Sequence, residues 1–310
     1  MGRRGGPHLG PDGLVVVDKP AGWTSHDVVA KSRGLLGTRK VGHAGTLDPD
    51  ATGVLLLGVG RATKLLRFLS PLGKAYVGEM VLGTETDTLD AAGEVTATHD
   101  MAGTTLAEVR AAAAAFVGPI EQVPPMVSAV KIDGKRLHEL ARQGIEVDRP
   151  ARPVTIHDLE VGPGPAGEPE VFTLRVRCSS GTYIRTLAAD IGAALGGGAH
   201  LRNLRRTAVG PFTLDDAVAL EAVSPERVLP MVEAVRHLSS TTVDPDVAEA
   251  VAVGKVLEAA DLGVTGDGPW AVLGPDDSLL AVYEPFRGTT VKPSLVIPPL
   301  AEAPPPDMGR

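Results

Sequence analysis

"VGHAGTLDPDATG", residues 41–53, sets a histidine, two carboxylates, a proline and three glycines between two apolar stretches. Pro49 stiffens the turn and the glycines let it fold sharply, so the stretch reads as a rigid loop that presents Asp48. Three chemistries compete for such a loop. A phosphate cradle is disfavoured because the Gly-Lys-Ser/Thr ending is missing and no helix clearly follows. A metal site would use His43, Asp48 and Asp50, but no HExxH, DxDxDG or second histidine pair accompanies them. A glycosidase-like carboxylate pair must face one bond about 5 to 9 Å apart, whereas Asp48 and Asp50 flank Pro49 and diverge. Asp48 is therefore expected to act alone, as nucleophile or base toward a glycosidic carbon, with a nearby cation keeping it ionised and Asp50 serving the turn.

That cation is sought first in "SSGTYIRTLA", residues 179–188, where Tyr183 and Arg185 open a helix. Aromatic residues make up only 3% of the chain, which draws attention to Tyr183 and to Tyr76. Core packing with the hydroxyl reaching outward remains an equal reading of both tyrosines.

Charge narrows the choice of partner. The 310 residues carry a formal net charge of -8, which argues at first sight against nucleic acid. The distribution is uneven, however. Residues 19–74 hold nine Lys/Arg against three acids, a net +6, residues 175–206 a net +5, and residues 213–310 a net -10. Two basic segments with an acidic tail suit a protein that grips phosphates locally, although a solvated charged face would give the same counts. The single cysteine, Cys178, excludes an internal disulfide and a cysteine-cluster metal site, and its strand-like surroundings make it a buried thiol. No apolar run approaches the roughly 20 residues that cross a bilayer. "MGRRGGPHLGPDG" lacks the apolar core of a signal peptide, so residues 1–12 are expected to be a disordered leader and the protein cytoplasmic.

Outward from the loop, "DGLVVVDKPAG" predicts a short buried strand, and Thr24 with Asp27 forms a capping-box pattern for a helix that Gly37 stops. "VLLLGVG" predicts a buried strand, "RATKLLRFL" a helix, and "KAYVGEMVLG" a strand with Tyr76 and Gly78 on one face. An Ala-rich helix closes at Gly118-Pro119. "VSAVKIDGKRLHELARQG" reads as strand, turn and helix, and "RPVTIHDLEV" and "VFTLRVRCS" as a hairpin. A helix begins at Gly181-Thr182 and "AHLRNLRRTAVGPF" returns to extended structure. The pattern indicates an α+β fold with a central mixed or antiparallel sheet. From about residue 240 the chain becomes acidic and Pro/Gly-rich, which predicts a small C-terminal β-rich domain over 240–300 beside a main domain over 13–235, with a disordered tail at 301–310.

Five blocks, "VVDKPAGWTSHDVV", "KVGHAGTLDPDATGVLLLGVGRATKL", "KAYVGEMVLGTETDTLDAAGEV", "PPMVSAVKIDGKRLHELARQG" and "SSGTYIRTLAADIG" with "GAHLRNLRRTAVGPF", appear in an order that resembles the bacterial tRNA pseudouridine-55 synthases of the TruB family. The resemblance spans residues 13 to about 220. It implies the pseudouridine synthase fold, a PUA-like C-terminal domain, and action on the uridine in the T-loop of tRNA with no cofactor or metal; a monomer with no membrane partner is expected. It also implies Asp48 as the catalytic aspartate, Tyr76 stacked on the base, Arg185 paired with Asp48, Tyr183 lining the pocket, and Leu204 as an apolar contact to uracil. By the same resemblance His43 fills the space left by a flipped-out nucleotide, and Lys19 and Lys131 support the site or touch phosphate. Whether the aspartate attacks C1′, adds to C6 or removes a proton from C2′ stays open. A noncatalytic protein that binds and remodels the T-arm is the alternative; the acidic tail departs from the basic appendage common in the family.

Overall fold

The computed structural model describes residues 10–126, 131–132, 135–136 and 149–298. Up to residue 219 its strands are β1 (Gly13–Lys19), β2 (Val41–Ala44), β3 (Thr52–Val59), β4 (Lys74–Leu82), β5 (Thr84–Thr86), β6 (Val95–Thr98), β7 (Gly118–Gln122), β8 (Lys131–Ile132), β9 (Lys135–Arg136), β10 (Arg152–Pro163), β11 (Val171–Cys178), β12 (Ala199–Val209), β13 (Phe212–Thr213) and β14 (Val218–Ala219). The helices there are α1 (Ser25–Leu35), α2 (Leu66–Leu69), α3 (Leu106–Ala114) and α4 (Ile184–Ala194). Ten strands form one mixed sheet in the order β14-β1-β3-β12-β4-β11-β10-β7, with β2 beside β3 and β13 beside β12. Its pairings are antiparallel except β1 with β14 and β3 with β12. The α+β reading holds.

Apolar alternation explains how the layers form. Val15 and Val17 of β1 and Leu55 and Leu57 of β3 pack with Val28 and Val29 of α1. The alternate residues, Leu14, Val16, Val54 and Leu56, pack with Leu65 and Leu69 on the other face. Both strands are thus covered on two sides, which is why their sequences are continuously apolar. β4 buries only alternate positions, Lys74, Tyr76, Gly78, Met80 and Leu82, so Tyr76 and Gly78 do share one face. α1 starts at the expected box, with Asp27 N–H donating to Thr24 Oγ1 at 3.1 Å and Thr24 N–H to Asp27 at 3.0 Å.

Two local expectations give way. "RATKLLRFL" is mostly a 3₁₀ helix, Gly60–Leu65, followed by the single turn α2. Gly60 turns the chain out of β3 with φ +60, and the tighter winding that follows sets Ala62, Leu65 and Leu69 against the core. Gly118 and Pro119, expected only to close α3, instead begin the edge strand β7, paired with Ile156 and Thr155 of β10. The β10–β11 hairpin forms as expected. β8 and β9 pair across the expected Asp133-Gly134 turn; that turn, the helix expected after it, residues 1–9 of the leader and the 301–310 tail lie outside the described residues. Asp12, at the end of the leader, is tied to Arg61.

The C-terminal part forms a second, five-stranded sheet from β15 (Ser239–Thr242), β16 (Leu257–Glu258), β17 (Trp270–Leu273), β18 (Leu279–Pro285) and β19 (Thr290–Val296), in the order β15-β17-β18-β19-β16, with helix α5 (Pro245–Ala252) against it. Trp270, Val272, Ala281 and Tyr283 form its own core with Val251. Ala271, Leu279, Val282 and Ile297 join Leu65 and Leu69 in the core shared with the large sheet. Among the described residues no helix is long and apolar enough to cross a membrane.

Candidate active site

The loop between β2 and β3 has four of its residues, Gly45, Thr46, Leu47 and Pro49, bonded through their backbone to groups from elsewhere in the chain. Arg206 of β12 donates to the Gly45 carbonyl at 3.1 Å and to the Thr46 carbonyl at 3.3 Å. The Ser25 hydroxyl both accepts from Leu47 N–H at 2.9 Å and donates to the Leu47 carbonyl at 3.2 Å. Lys19 Nζ, with Gly22 N–H, donates to the Pro49 carbonyl at 2.8 and 3.0 Å. Ala51 N–H closes the turn onto the Asp48 carbonyl at 3.2 Å. Buried carbonyls need donors, and here two buried cations and a serine supply them. The result is a clamped turn from which Asp48 and Asp50 both reach the larger cavity, with Asp48 alone lining the smaller one as well.

Asp48 meets its expected cation. Arg185 Nε lies 3.1 Å from Asp48 Oδ2, and its Nη1 lies 3.2 Å from Asp90 Oδ2 and 2.8 Å from the Thr88 carbonyl. The Arg185 side chain is 5% exposed, while that of Asp48 is 43% exposed and opens into the cleft. Desolvation pushes the Asp48 carboxyl above the usual carboxylate range; Arg185 opposes this and Asp90 adds to it. Arg185 thus favours the ionised form of a carboxylate whose burial favours the neutral one.

Two cavities adjoin at this point. One, of about 280 Å³, is lined by Asp48, Tyr76, Tyr183, Arg185, Leu204 and Arg206 among others. The second, of about 440 Å³, is lined by Asp48, Asp50, Asp90, Arg185, Arg202 and Leu204 among others. Asp48, Arg185 and Leu204 belong to both walls. Gly78 leaves room for Leu204: an added Cβ would sit 3.3 Å from its Cδ1. Tyr76 is buried, its phenol pushed up by burial, and it stands opposite Arg206 in the pairing of β4 with β12. Tyr183 precedes α4 as its N-cap, one or two residues later than expected, and its backbone is held at both ends by the Gln122 amide, at 2.9 and 3.1 Å.

The remaining expected residues lie differently. Lys19 is fully buried, with Nζ on the Pro20, Trp23 and Pro49 carbonyls at 2.9, 2.6 and 2.8 Å. Burial lowers its pKa to about 8. All three of its donors are occupied, so its geometry is that of loop support and not of a phosphate contact. His43, on β2, lines neither cavity; it packs edge-on against His26 with ring centres 5.3 Å apart, and burial lowers its pKa. The Lys131 side chain lies outside the described residues. Cys178 is buried and free, its thiol pushed up to about 11 by desolvation. Among the described residues no group of three or more His, Cys, Asp or Glu is placed to hold a metal.

Sequence reasoning missed Arg206, Asp90, Gln122 and Ser25. Arg206 sits in the basic run "LRNLRRTAV" and Asp90 in "TLDAAG", and neither spacing says that its side chain turns inward. Asp90 is brought in because residues 89–91 pair with Leu201 at the end of β12.

Similar folds and sequences give the class of protein. The solved structure titled "Crystal Structure of a Cbf5-Nop10-Gar1 Complex" superposes with a TM-score of 0.71 at 29% identity, over 92% of this chain and 85% of that one. A Nop10-Cbf5 complex of the archaeal box H/ACA sRNP gives 0.69 at 27%, over 92% and 86%. The fold is that of the pseudouridine synthases, a class of isomerase. The family description "TruB family pseudouridylate synthase (N terminal domain)" matches residues 33–184, and "tRNA pseudouridylate synthase B C-terminal domain" matches 185–234. Proteins called tRNA pseudouridine synthase B are 49% identical in Arthrobacter sp. (strain FB24), over 94% of this chain and 98% of the relative, and 44% identical in Geobacillus thermodenitrificans (strain NG80-2), over 91% and 98%. The chain belongs to the TruB family of pseudouridylate synthases.

Proposed function

We propose that this chain isomerises the T-loop uridine of tRNA, position 55, to pseudouridine, as a cytoplasmic enzyme with Asp48 acting on a flipped-out nucleotide. The observation that carries the reading is the Arg185–Asp48 ion pair where two cavities meet. The reaction breaks the N1–C1′ bond, turns the uracil and joins C5 to C1′, while one proton leaves C5 and N1 gains one. It needs a carboxylate near the ribose and a pocket that keeps the detached base from leaving. Asp48 supplies the first. Tyr76, Tyr183 and Leu204 wall the second, with Tyr76 stacking on the base, and His43 fills the gap left in the RNA stack. Lys131 is assigned to support or phosphate contact. The relatives' names bring tRNA to this chain as substrate.

A T-arm stem-loop incubated with the protein is expected to yield pseudouridine. Asp48→Asn should abolish turnover, by at least about 1,000-fold, and leave RNA binding within a few-fold, because phosphate contacts supply most of the affinity. Product from Asp48→Asn at a tenth of the normal rate would refute the assignment. Tight binding by the unaltered protein with no product would favour the noncatalytic T-arm binder instead. The reaction requires ionised Asp48, whose pKa is raised by desolvation. The rate should therefore fall with decreasing pH in a limb centred above the ordinary carboxylate value, and Asp90→Asn should move that limb downward.

A further inference from the structure

Arg206 is 1% exposed, among the most buried large side chains of the molecule, and it lines the smaller cavity beside Asp48 and Tyr76. A buried arginine in an active-site wall suggests a grip on substrate, but its bonds lead elsewhere. Nε donates to the Val54 carbonyl at 2.7 Å, Nη1 to Thr46 at 3.3 Å and Nη2 to Gly45 at 3.1 Å. Arg206 also stands directly opposite Tyr76 in the pairing of β12 with β4, and both line the smaller cavity. Three carbonyls, two from the loop before Asp48 and one from β3 after it, thus converge on one rigid fork that lies beside Tyr76 of β4. Its neighbour Arg205 faces the other way, with Nη1 and Nη2 on Asp18 at 3.0 and 2.7 Å and Nη1 on Thr52 at 3.2 Å.

We propose that Arg206 is a positioning residue that sets the Asp48 loop and the Tyr76 ring in one fixed relation, so that the carboxylate and the base-stacking ring reach the same nucleotide together. This rests on the pseudouridine synthase reading of the site. The strand carries the information: β12 runs parallel to β3 with Arg206 opposite Gly53, and an added Cβ on Gly53 would run into the Arg206 backbone. The backbone of residue 206 is therefore packed tightly against the start of β3, and its side chain lines one cavity with Asp48 and Tyr76. Lysine keeps the charge but offers no planar fork, so it can serve only part of this set of acceptors.

Arg206→Lys and Arg205→Ala form the test, with four measurements on each: melting temperature, affinity for a T-arm stem-loop in an Asp48→Asn background, single-turnover rate, and deuterium exchange at residues 45–51. Arg206→Lys should bind RNA within about threefold of the parent and react at least 100-fold more slowly. Deuterium exchange should rise in residues 45–51. Arg205→Ala should lower the melting temperature with a rate within threefold of normal and no change in exchange at 45–51. For Arg206→Ala, millimolar guanidinium should restore part of the rate. A rate for Arg206→Lys within threefold of normal, an equal rate loss in Arg205→Ala, or unchanged exchange at 45–51 would each overturn the proposal. Absence of product from the unaltered protein would instead refute the reading of the reaction, and the exchange comparison would still decide the role of Arg206. If Arg206→Lys does not fold, guanidinium rescue of Arg206→Ala decides, and no rescue counts against the role.

Discussion

The Asp48 loop and the C-terminal sheet are held to the large sheet by different means. The loop buries Leu47 and Ala51 in the core beneath it, and the rest of its fixation is polar: Arg206, Lys19 and Ser25 each come from a distant part of the chain to satisfy its backbone. The C-terminal sheet is held by apolar contact of Ala271, Leu279, Val282 and Ile297 with Leu65 and Leu69, with few polar links at its edge, such as Arg61 to the Pro298 carbonyl at 2.7 Å and Arg67 to Ser294. Apolar contact is non-directional and tolerates sliding. A network of buried hydrogen bonds fixes position, because a displaced donor leaves a carbonyl unpaired in a dry site at about 1–3 kcal/mol each. The two attachments should therefore respond differently: disturbing the loop should cost chemistry, and disturbing the sheet contact should cost stability alone.

Gly53→Ala tests the first half and carries the largest expected effect. Gly53 has φ +103, where an L side chain is strained, and an added Cβ would collide with the Arg206 carbonyl. Strain and overpacking together should destabilise by about 4 kcal/mol. Because the collision pries β3 from β12 beneath Asp48, turnover should fall by more than the unfolded fraction explains. Urea melts with single-turnover rates under folded conditions separate the two; a rate that follows only the folded fraction would break the contrast.

How much of this was legible in the sequence follows the same division. Local signals were read correctly: the Thr24–Asp27 box, the β10–β11 hairpin, and the loop that offers Asp48, since each depends on residues within a few positions of one another. Arg185 was a candidate cation for Asp48 from its place in a basic segment, and the resemblance made the pairing specific. Arg206, Asp90 and Gln122 were not found at all, because carbonyl and backbone bonds across 60 to 160 residues leave no spacing pattern. Lys19 was placed in the right neighbourhood for an undecided reason, and only its three carbonyl bonds distinguish support from phosphate contact. The 3₁₀ winding after Gly60 escaped for a related cause: its apolar spacing suits either helix, and what selects the tighter one is contact with the shared core.

The second half of the contrast is tested by Leu279→Ala. Leu279 is 4% exposed and packs in the shared core, so its truncation should destabilise by about 3 kcal/mol through lost burial and a residual cavity. Turnover of the folded protein should stay within about twofold, because no residue of the C-terminal sheet lines either cavity at Asp48. A rate loss of tenfold or more under conditions where the protein is fully folded would show that the sheet contact positions the loop after all.

The smallest effect is expected from Arg67→Ala. Arg67 reaches from α2 across to Ser294, bonding both its hydroxyl and, at 3.4 Å, its carbonyl, with the guanidinium over the Phe68 ring at 4.9 Å. The site is exposed, so water replaces most of what truncation removes, and the change in stability should be below about 1 kcal/mol. Arg67 nevertheless lies in the basic segment 19–74, on the same short helical stretch whose end, Ser70, borders the Asp48 cavity. If that segment meets RNA phosphates, Arg67→Ala should weaken T-arm binding a few-fold at low salt, lose the difference as salt rises, and lower the slope of log affinity against log salt by about one contact. An affinity and slope identical to those of the parent would leave Arg67 as a surface tether between the two sheets, and would confine the RNA-facing charge to residues nearer the loop.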